Sequence, residues 1–324
     1  MTRLRSMAVI AIFIVIALAL LPLVAEKYTI QFATRILIMA VFAMSLNLLV
    51  GHAGLVSLGH AAFFGIAGYC LALSSPQTHA ASFWISLPLA MIAAGVLALV
   101  IGALVLRSGG IYLIMSTLAF AQMLYFLLHD TAIAGGSDGM YIYFRPDATL
   151  FGWRPFDLEK FGDFYFVVLA LFLAVFAFIG VLRVSLFGRV IAGIRVNEPR
   201  MRSLGFATLR YKLACFVIAG MLAGLSGYLA AVQFGVVNPD MLGWQLSGAV
   251  LMMVILGGTG TLVGPVIGAA AMLLLELGLQ SLPMVGELNI GKHWQLPMGI
   301  AIVLVALYLP DGIGRFLRAR AASV

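Results

Sequence analysis

The sequence predicts an all-α polytopic membrane protein, and two observations carry that prediction. Hydrophobic residues make up 63% of the 324 residues and charged residues only 10%, whereas a soluble domain carries about 25% charged residues. Apolar stretches approaching or reaching the roughly 20 residues that a helix needs to cross the hydrocarbon core recur along the chain. We therefore expect about ten transmembrane helices in a single transmembrane domain over residues 1–324, with broken or re-entrant segments where glycines cluster.

The ten predicted spans follow the apolar stretches, and the third is short. They are Met7 to Val24, Phe32 to Val50, His60 to Leu73, Phe83 to Leu106, Ile111 to Leu128, Phe161 to Leu182, Lys212 to Phe234, Trp244 to Leu262, Pro265 to Leu282 and Trp294 to Leu309. The first could instead be a cleaved signal peptide, because Arg3 and Arg5 precede it, but it is long and no small-residue cleavage site stands out.

Basic residues orient the chain, because Lys and Arg collect on the cytoplasmic side of a membrane. With Arg3 and Arg5 inside and each span reversing direction, most of the 19 basic residues fall in the cytoplasmic ends and loops, and most of the 12 acids fall outside. Both termini are therefore expected in the cytoplasm of a multi-pass protein of the inner (plasma) membrane. The net charge of +7 follows from this asymmetry and does not indicate nucleic-acid binding.

Two loops are long enough to carry a specific role. The extracytoplasmic loop, about 129–160, contains Gly135-Gly136-Ser137-Asp138-Gly139, and the cytoplasmic loop, about 183–211, is rich in arginine. Neither loop is long enough for an ATPase or a catalytic domain. Gly286 to Lys292 has the spacing of a phosphate-binding loop, but His293 follows where Ser or Thr should hold magnesium. We therefore expect no enzymatic activity and no cofactor or metal in this chain.

Polar residues at two interruptions of the apolar pattern are the candidates for a substrate pathway. Three glycines between residues 51 and 59 break one apolar run, and residues 257–265 form a second Gly-rich break. Backbone N–H and C=O groups that lack a helical hydrogen bond persist at membrane depth only where protein or water satisfies them. The interruptions therefore predict a region that lines a cavity. The candidates are Asn47, His52, Ser57 and His60, together with Glu276, an acid inside the ninth span whose role is left open between a packing hydrogen bond and a substrate path.

Several blocks of the chain, in order, resemble one known family, the permease subunits of branched-chain amino acid ABC importers, and specifically the second of the two paralogous membrane subunits. The blocks are Leu46 to Gly65, Gly109-Gly110-Ile111-Tyr112, Thr117 to Gln122, Gly135 to Gly139, Leu256 to Pro265 and Pro310-Asp311-Gly312. The resemblance implies a passive half-channel that pairs with the paralogous permease. It also implies two cytoplasmic ATPase subunits and a periplasmic substrate-binding protein as partners, with membrane lipid around the spans.

The cytoplasmic loop is the predicted docking site for an ATPase. Asn197 suits a helix N-cap, Pro199 suits the first turn, and Gly205 suits a helix end. The loop also resembles the family's ATPase-contact segment at Arg195, Asn197, Glu198, Ser203, Leu204 and Gly205. The alternative is that its basic residues only mark the cytoplasmic side and touch anionic lipid.

The cargo is left open by the sequence, since the resemblance departs from the family pattern at Leu55, Gly193 and Val196. Branched-chain or similar amino acids are the leading expectation. Another small polar solute, such as urea, an amide or an aromatic acid, is the alternative within the same architecture. A secondary transporter is a different class, and it would need more ion-coupling groups inside the membrane than Glu276 alone.

Overall fold

The fold is built almost entirely from helices, as the composition predicts. The structure is a computed structural model, and it describes residues 17–22, 25–76, 78–149, 153–281, 294–308 and 312. Residues 17–22 are helical. The helices that follow are α1 Lys27–Asn47, α2 His60–Ser74, α3 Phe83–Val105, α4 Ile111–His129, α5 Phe161–Val184, α6 Leu186–Val196, α7 Glu198–Ser203, α8 Thr208–Phe234, α9 Trp244–Gly257, α10 Gly264–Gln280 and α11 Gln295–Tyr308.

Five helical segments are long and apolar enough to cross a membrane, which supports a multi-pass membrane protein. They are Lys27–Ala53, Phe83–Val105, Ile111–His129, Phe161–Val184 and Thr208–Phe234, and four shorter apolar helices accompany them. Met7 to Val24, the first predicted span, lies mostly outside the described residues. The count of ten spans therefore stays a prediction.

Some predicted span boundaries are wrong, and local backbone chemistry explains why the eighth span ends early. The eighth span was placed from Trp244 to Leu262, but α9 ends at Gly257. Gly258 and Gly260 adopt positive φ angles of 101° and 76°, which a continuing right-handed helix cannot contain. The helix therefore stops five residues earlier than its apolar composition suggests.

Helix α8 lies at the centre of the bundle and packs against α1, α2 and α3. Its small residues allow close approach: a Cβ on Gly220 would lie 2.5 Å from the Cβ of Ala98, and one on Gly224 would lie 2.5 Å from the Cβ of Ala94. Small residues at such contacts let membrane helices approach backbone to backbone. The polar side chains of Ser86 and Tyr228 also join α3 to α8, with 2.7 Å between their oxygens.

The two ends of the bundle are structurally distinct. At the end where α8 finishes, the strands β1 (Met140–Tyr141) and β2 (Val236–Val237) pair antiparallel, so the α4–α5 loop and the α8–α9 loop lie together. At the other end, α6 and α7 precede the start of α8. Since α8 has 27 residues, its ends are about 40 Å apart at 1.5 Å per residue.

Candidate coupling site at two helix breaks

The first helix break follows α1 directly. A π-helical turn, Leu48–Ala53, extends the helix beyond Asn47, and Gly54 ends it with a φ of +71°. The N–H of Leu55 donates back to the carbonyl of Leu49 at 3.0 Å, which closes the turn. The chain then runs irregularly until α2 begins at His60, so the predicted interruption of this apolar run is present.

The second break, between α9 and α10, is held by one side chain. The hydroxyl of Thr261 donates to the carbonyl of Gly258 at 3.0 Å and accepts from the N–H of Gly264 at 3.0 Å. These bonds satisfy backbone groups that the end of α9 and the start of α10 leave open. The break is therefore a defined turn whose shape depends on Thr261.

Asn47 joins the two breaks, although 213 and 214 residues of sequence separate it from its partners. Its Nδ2 donates to the carbonyl of Thr261 at 2.8 Å, and its Oδ1 accepts from the N–H of Gly260 at 2.9 Å. The side chain is buried, with 2% of the residue exposed. Asn47 thus acts as a two-sided clamp, because both ends of its amide bind the same distant turn.

Arg195 connects helix α6 to the first break. Its Nη1 donates a hydrogen bond to the carbonyl of Gly51, a group in the π-helical turn. Its aliphatic stem lies against Gly54, where a Cβ would be 3.0 Å from the Cγ of Arg195. Ile191 and Ile194 on the same helix are buried, so α6 is anchored by apolar packing and by a charged hydrogen bond.

The short helix α7 begins as the sequence predicts. The Oδ1 of Asn197 accepts from the N–H of Arg200 at 3.0 Å, which is the N-cap bond. Ser203 donates its hydroxyl proton to the carbonyl of Pro199 at 3.2 Å. Gly205 has a φ of +86°, and Leu204 is exposed. The segment therefore presents a capped turn with an exposed apolar side chain.

Glu198 ties α7 to the start of α8. Its carboxylate accepts from Arg202 Nη2 at 2.7 Å and from the Thr208 hydroxyl at 3.0 Å, and it forms an ion pair with Lys212. Partial burial favours the protonated acid, but the hydrogen bonds from Lys212, Arg202 and Thr208 outweigh it and lower the pKa of Glu198. The carboxylate is therefore ionised at neutral pH, and it holds the loop against the bundle.

A cavity of about 350 Å³ opens between the first break, the α3–α4 turn and the loop helices. Its walls include Gly54 and Leu55 from the break, Gly109 from the turn, and Arg195 and Glu198 from the loop. The cavity brings three separate parts of the chain to one place. A shift of α6 or α7 therefore changes its shape directly.

The other predicted pathway residues have identifiable partners. Ser57 is buried, and its hydroxyl accepts from the N–H of Gly59 at 3.3 Å. His60 is fully buried, with its Nε2 2.9 Å from the Ser45 hydroxyl and its ring stacked on Phe42. His52 places its Nδ1 3.2 Å from the carbonyl of Asn47. None of the three lines the 350 Å³ cavity, so a pathway role for them stays a prediction.

Glu276 has a partner that the sequence analysis did not name. It forms an ion pair with Arg35 of α1 at 3.5 Å and accepts from Gln280 Nε2 at 3.2 Å. The pair joins α1 to α10. A charge that is paired and hydrogen-bonded costs far less inside a membrane protein than an isolated one.

Comparison with known proteins decides the family. The family model of the branched-chain amino acid transport system permease component matches residues 28–307. The chain belongs to this permease family. The high-affinity branched-chain amino acid transport system permease protein LivM of Salmonella typhimurium is 31% identical over 314 residues, covering 90% of this chain and 71% of the relative.

Two further proteins are similar in sequence to the permease. LivM of Escherichia coli K12 is 32% identical over the same shares of both chains. The xylose transport system permease protein XylH of Escherichia coli K12 is 28% identical over 134 residues, covering 40% of this chain and 33% of the relative. No solved structure matches the permease.

Three contacts of this site in the permease were not predicted from the sequence. Lys212 was named only as the first residue of the seventh predicted span, yet it binds Glu198. The hydroxyl of Ser247 on α9 accepts from the N–H of Ala61 at 2.9 Å, and Thr117 Oγ1 accepts from the N–H of Leu58 at 3.3 Å. A Ser or Thr inside an apolar helix was the available signal, since such hydroxyls satisfy backbone groups freed at a neighbouring break.

Replacing Gly51 by alanine is expected to destabilise the permease. A Cβ at this position would collide with the Oδ1 of Asn47 and with the backbone nitrogen of Gly260. Overpacking of this kind costs about 1–3 kcal/mol, so we expect a lower melting temperature in detergent. Gly248→Ala on α9 is the control, because nothing lies within 4 Å of its added Cβ. Equal melting temperatures for the two variants would contradict the tight contact between the breaks.

Proposed function

We propose that this permease is the transmembrane subunit of an ATP-binding cassette importer that moves branched-chain or similar amino acids into the cytoplasm. The proposal combines membership of the permease family with one structural observation. Arg195, on the loop predicted to contact an ATPase, hydrogen-bonds the first helix break at Gly51. A movement imposed on α6 from outside thus acts on the interrupted helices without an intermediate element.

The proposed ATPase-coupling residues are Arg195, Asn197, Glu198, Ser203, Leu204 and Gly205. Their contacts support distinct roles within that proposal. Asn197 caps α7 and Glu198 fixes it to α8, while Leu204 is 65% exposed and is available to a partner. The lipid-contact alternative explains the positive charge of the loop, but it does not explain the carboxylate of Glu198 at its centre.

The proposed partners are a paralogous permease, two cytoplasmic ATPases and a periplasmic substrate-binding protein. The surface of α4 supports a membrane partner, because only 17% of the residues in its most apolar stretch are buried within this chain. Gln122 on this helix makes no side-chain hydrogen bond within the described residues. Lipid tails cannot satisfy an amide, so α4 is suited to face a second permease or a water-filled path.

A reconstitution experiment tests the proposed function. Liposomes containing the permease, its paralogue and the ATPases, supplied with the binding protein, should accumulate labelled leucine only when ATP is present. Uptake by the permease alone, driven by an ion gradient, would favour a secondary transporter. Competition by unlabelled urea, amides or aromatic acids, with no competition by valine or isoleucine, would indicate that the cargo belongs to the alternative class of small polar solutes.

The proposed orientation places both termini in the cytoplasm with ten spans between them. It predicts that Ser137→Cys on the α4–α5 loop reacts with a membrane-impermeant thiol reagent in intact cells and that Ser203→Cys on α7 does not. Cys70 and Cys215 are replaced first, so that each variant has one thiol. Labelling of Ser203→Cys but not Ser137→Cys would invert the orientation, and permeabilised cells give the accessibility control for both.

A further inference from the structure

A second cavity, of about 390 Å³, lies near the opposite end of the bundle from the coupling site. It is formed between α1, α2, the end of α8, the α8–α9 loop and the start of α9. Its volume lies within the range of about 300–1,000 Å³ that is usual for small-molecule sites. Apolar side chains form most of its wall, and they include Met39, Phe64, Phe234, Met241 and Leu246.

One cation and one anion line this cavity together. Arg35 projects from α1, and Asp240 belongs to the short turn Pro239–Leu242. Arg35 lies eight residues after the start of α1 at Lys27, or about 12 Å along the helix. A cation at that position has to be satisfied by protein, water or ligand.

The partners of Arg35 leave much of its guanidinium free. Its ion pair with Glu276 is long, at 3.5 Å, and 37% of the Arg35 side chain is exposed. A guanidinium has five N–H donors, and its planar fork matches a carboxylate with two parallel hydrogen bonds. Arg35 can therefore keep Glu276 as a counter-ion and still bind a second carboxylate.

Asp240 is an available acceptor. The one hydrogen bond to its carboxylate within the described residues comes from Asn238 Nδ2 at 3.5 Å. No Lys or Arg of the described residues lies within ion-pair distance of it. A ligand ammonium would supply the missing positive charge.

We propose that this cavity is a receiving site for a zwitterionic α-amino acid with a branched apolar side chain. Arg35 binds the α-carboxylate, Asp240 binds the α-ammonium, and the apolar wall takes the side chain. The inference rests on the proposed import function and names the chemistry by which the permease itself recognises its cargo. Glu276 then serves as the counter-ion that positions Arg35.

The place of the cavity suits this role. Asp240 follows β2 closely, and β2 pairs with β1 of the α4–α5 loop. In the proposed orientation this is the extracytoplasmic end, where a binding protein releases its cargo. The cavity is thus a chemically matched site near the proposed place of release, and the coupling site lies at the other end of α8.

Ligand binding to the purified permease–ATPase complex, without binding protein, tests the inference. Three probes are titrated and followed by saturation-transfer difference NMR: L-leucine, 4-methylpentanoate, which lacks the ammonium, and 3-methylbutylamine, which lacks the carboxylate. We expect L-leucine to bind at least about tenfold more tightly than either analogue, since each analogue leaves one charge unpaired.

Variants assign each charge to its partner. Arg35→Gln, made with Glu276→Gln so that no acid is left unpaired, should remove the advantage of leucine over 3-methylbutylamine. Asp240→Asn, on an exposed loop, should remove its advantage over 4-methylpentanoate. Lys27→Gln, at the same end but outside the cavity, should change neither ratio.

Two outcomes would overturn the inference. Equal affinities for the three probes in the wild-type complex, or unchanged ratios in both variants, would show that the cavity is not a receiving site. If the full complex still takes up leucine with ATP, the import function is unaffected by that result. Absence of that uptake in the same preparation would remove the import function, and the receiving site with it.

Discussion

Replacing Asn47 by leucine should abolish most ATP-driven uptake by the reconstituted importer and lower the melting temperature of the permease. The substitution keeps the number and branching of the side-chain heavy atoms but removes both hydrogen bonds to the second break. The carbonyl of Thr261 and the N–H of Gly260 are then left without their partner. Each unsatisfied buried group costs about 1–3 kcal/mol.

A matched substitution separates this effect from a general loss of polarity in α1. Thr34 is also buried in α1, but within the part of the chain that the structure describes its hydroxyl bonds only to the carbonyl of Ile30 in the same helix, at 2.7 Å. Thr34→Ala should therefore retain uptake. Asn47→Asp keeps the acceptor for Gly260 and loses the donor to Thr261, so we expect it to impair uptake as well. Wild-type uptake and melting temperature in Asn47→Leu would show that the Asn47 hydrogen bonds do not hold the two breaks together.

Glu198→Lys should uncouple ATP hydrolysis from uptake without preventing membrane insertion. The new ammonium would face Lys212 and Arg202, where the wild-type carboxylate accepts hydrogen bonds from both. Repulsion releases α7 from α8, so ATPase closure moves the loop without moving the spans. We expect uptake to fall at least about tenfold, equivalent to 1.4 kcal/mol, while ATP hydrolysis by the complex continues.

A charge exchange tests whether the contact itself is responsible. Glu198→Lys combined with Lys212→Glu restores opposite charges across the contact and should recover part of the uptake. Glu198→Gln keeps an acceptor for Thr208 and Arg202 without the charge, so its uptake should lie between that of Glu198→Lys and that of the wild type. If Glu198→Lys transported leucine with wild-type coupling, the basic residues of the loop would serve only to orient the chain in the membrane.

Local features of this site were predictable because their causes are local. Asn197 was recognised as a cap from its position before Pro199, and the cap bond is present. The breaks were recognised because glycines interrupt apolar runs, and Gly54 and Gly260 do adopt positive φ angles. In each case neighbouring residues determine the backbone conformation.

Long-range features were not predictable, because the sequence shows that a side chain is polar but not which group it satisfies. Asn47 was proposed as a pathway residue, and the sequence did not show that its side chain hydrogen-bonds a turn more than 200 residues away. His60 was proposed with it and lies fully buried against Phe42. Pairing of Arg35 with Glu276 depends on the register of α1 against α10, which composition does not specify.

Arg195 is proposed to transmit ATPase movement to the helix breaks, and the ratio of ATP hydrolysed to leucine transported in proteoliposomes measures that transmission. Arg195→Met keeps the aliphatic stem but removes the hydrogen bond to Gly51. Arg200→Met removes a charge from the same loop, where the Arg200 side chain makes no hydrogen bond within the described residues. We predict a ratio raised about tenfold in Arg195→Met and unchanged in Arg200→Met. The same ratio in both variants and the wild type would show that Arg195 does not transmit the movement.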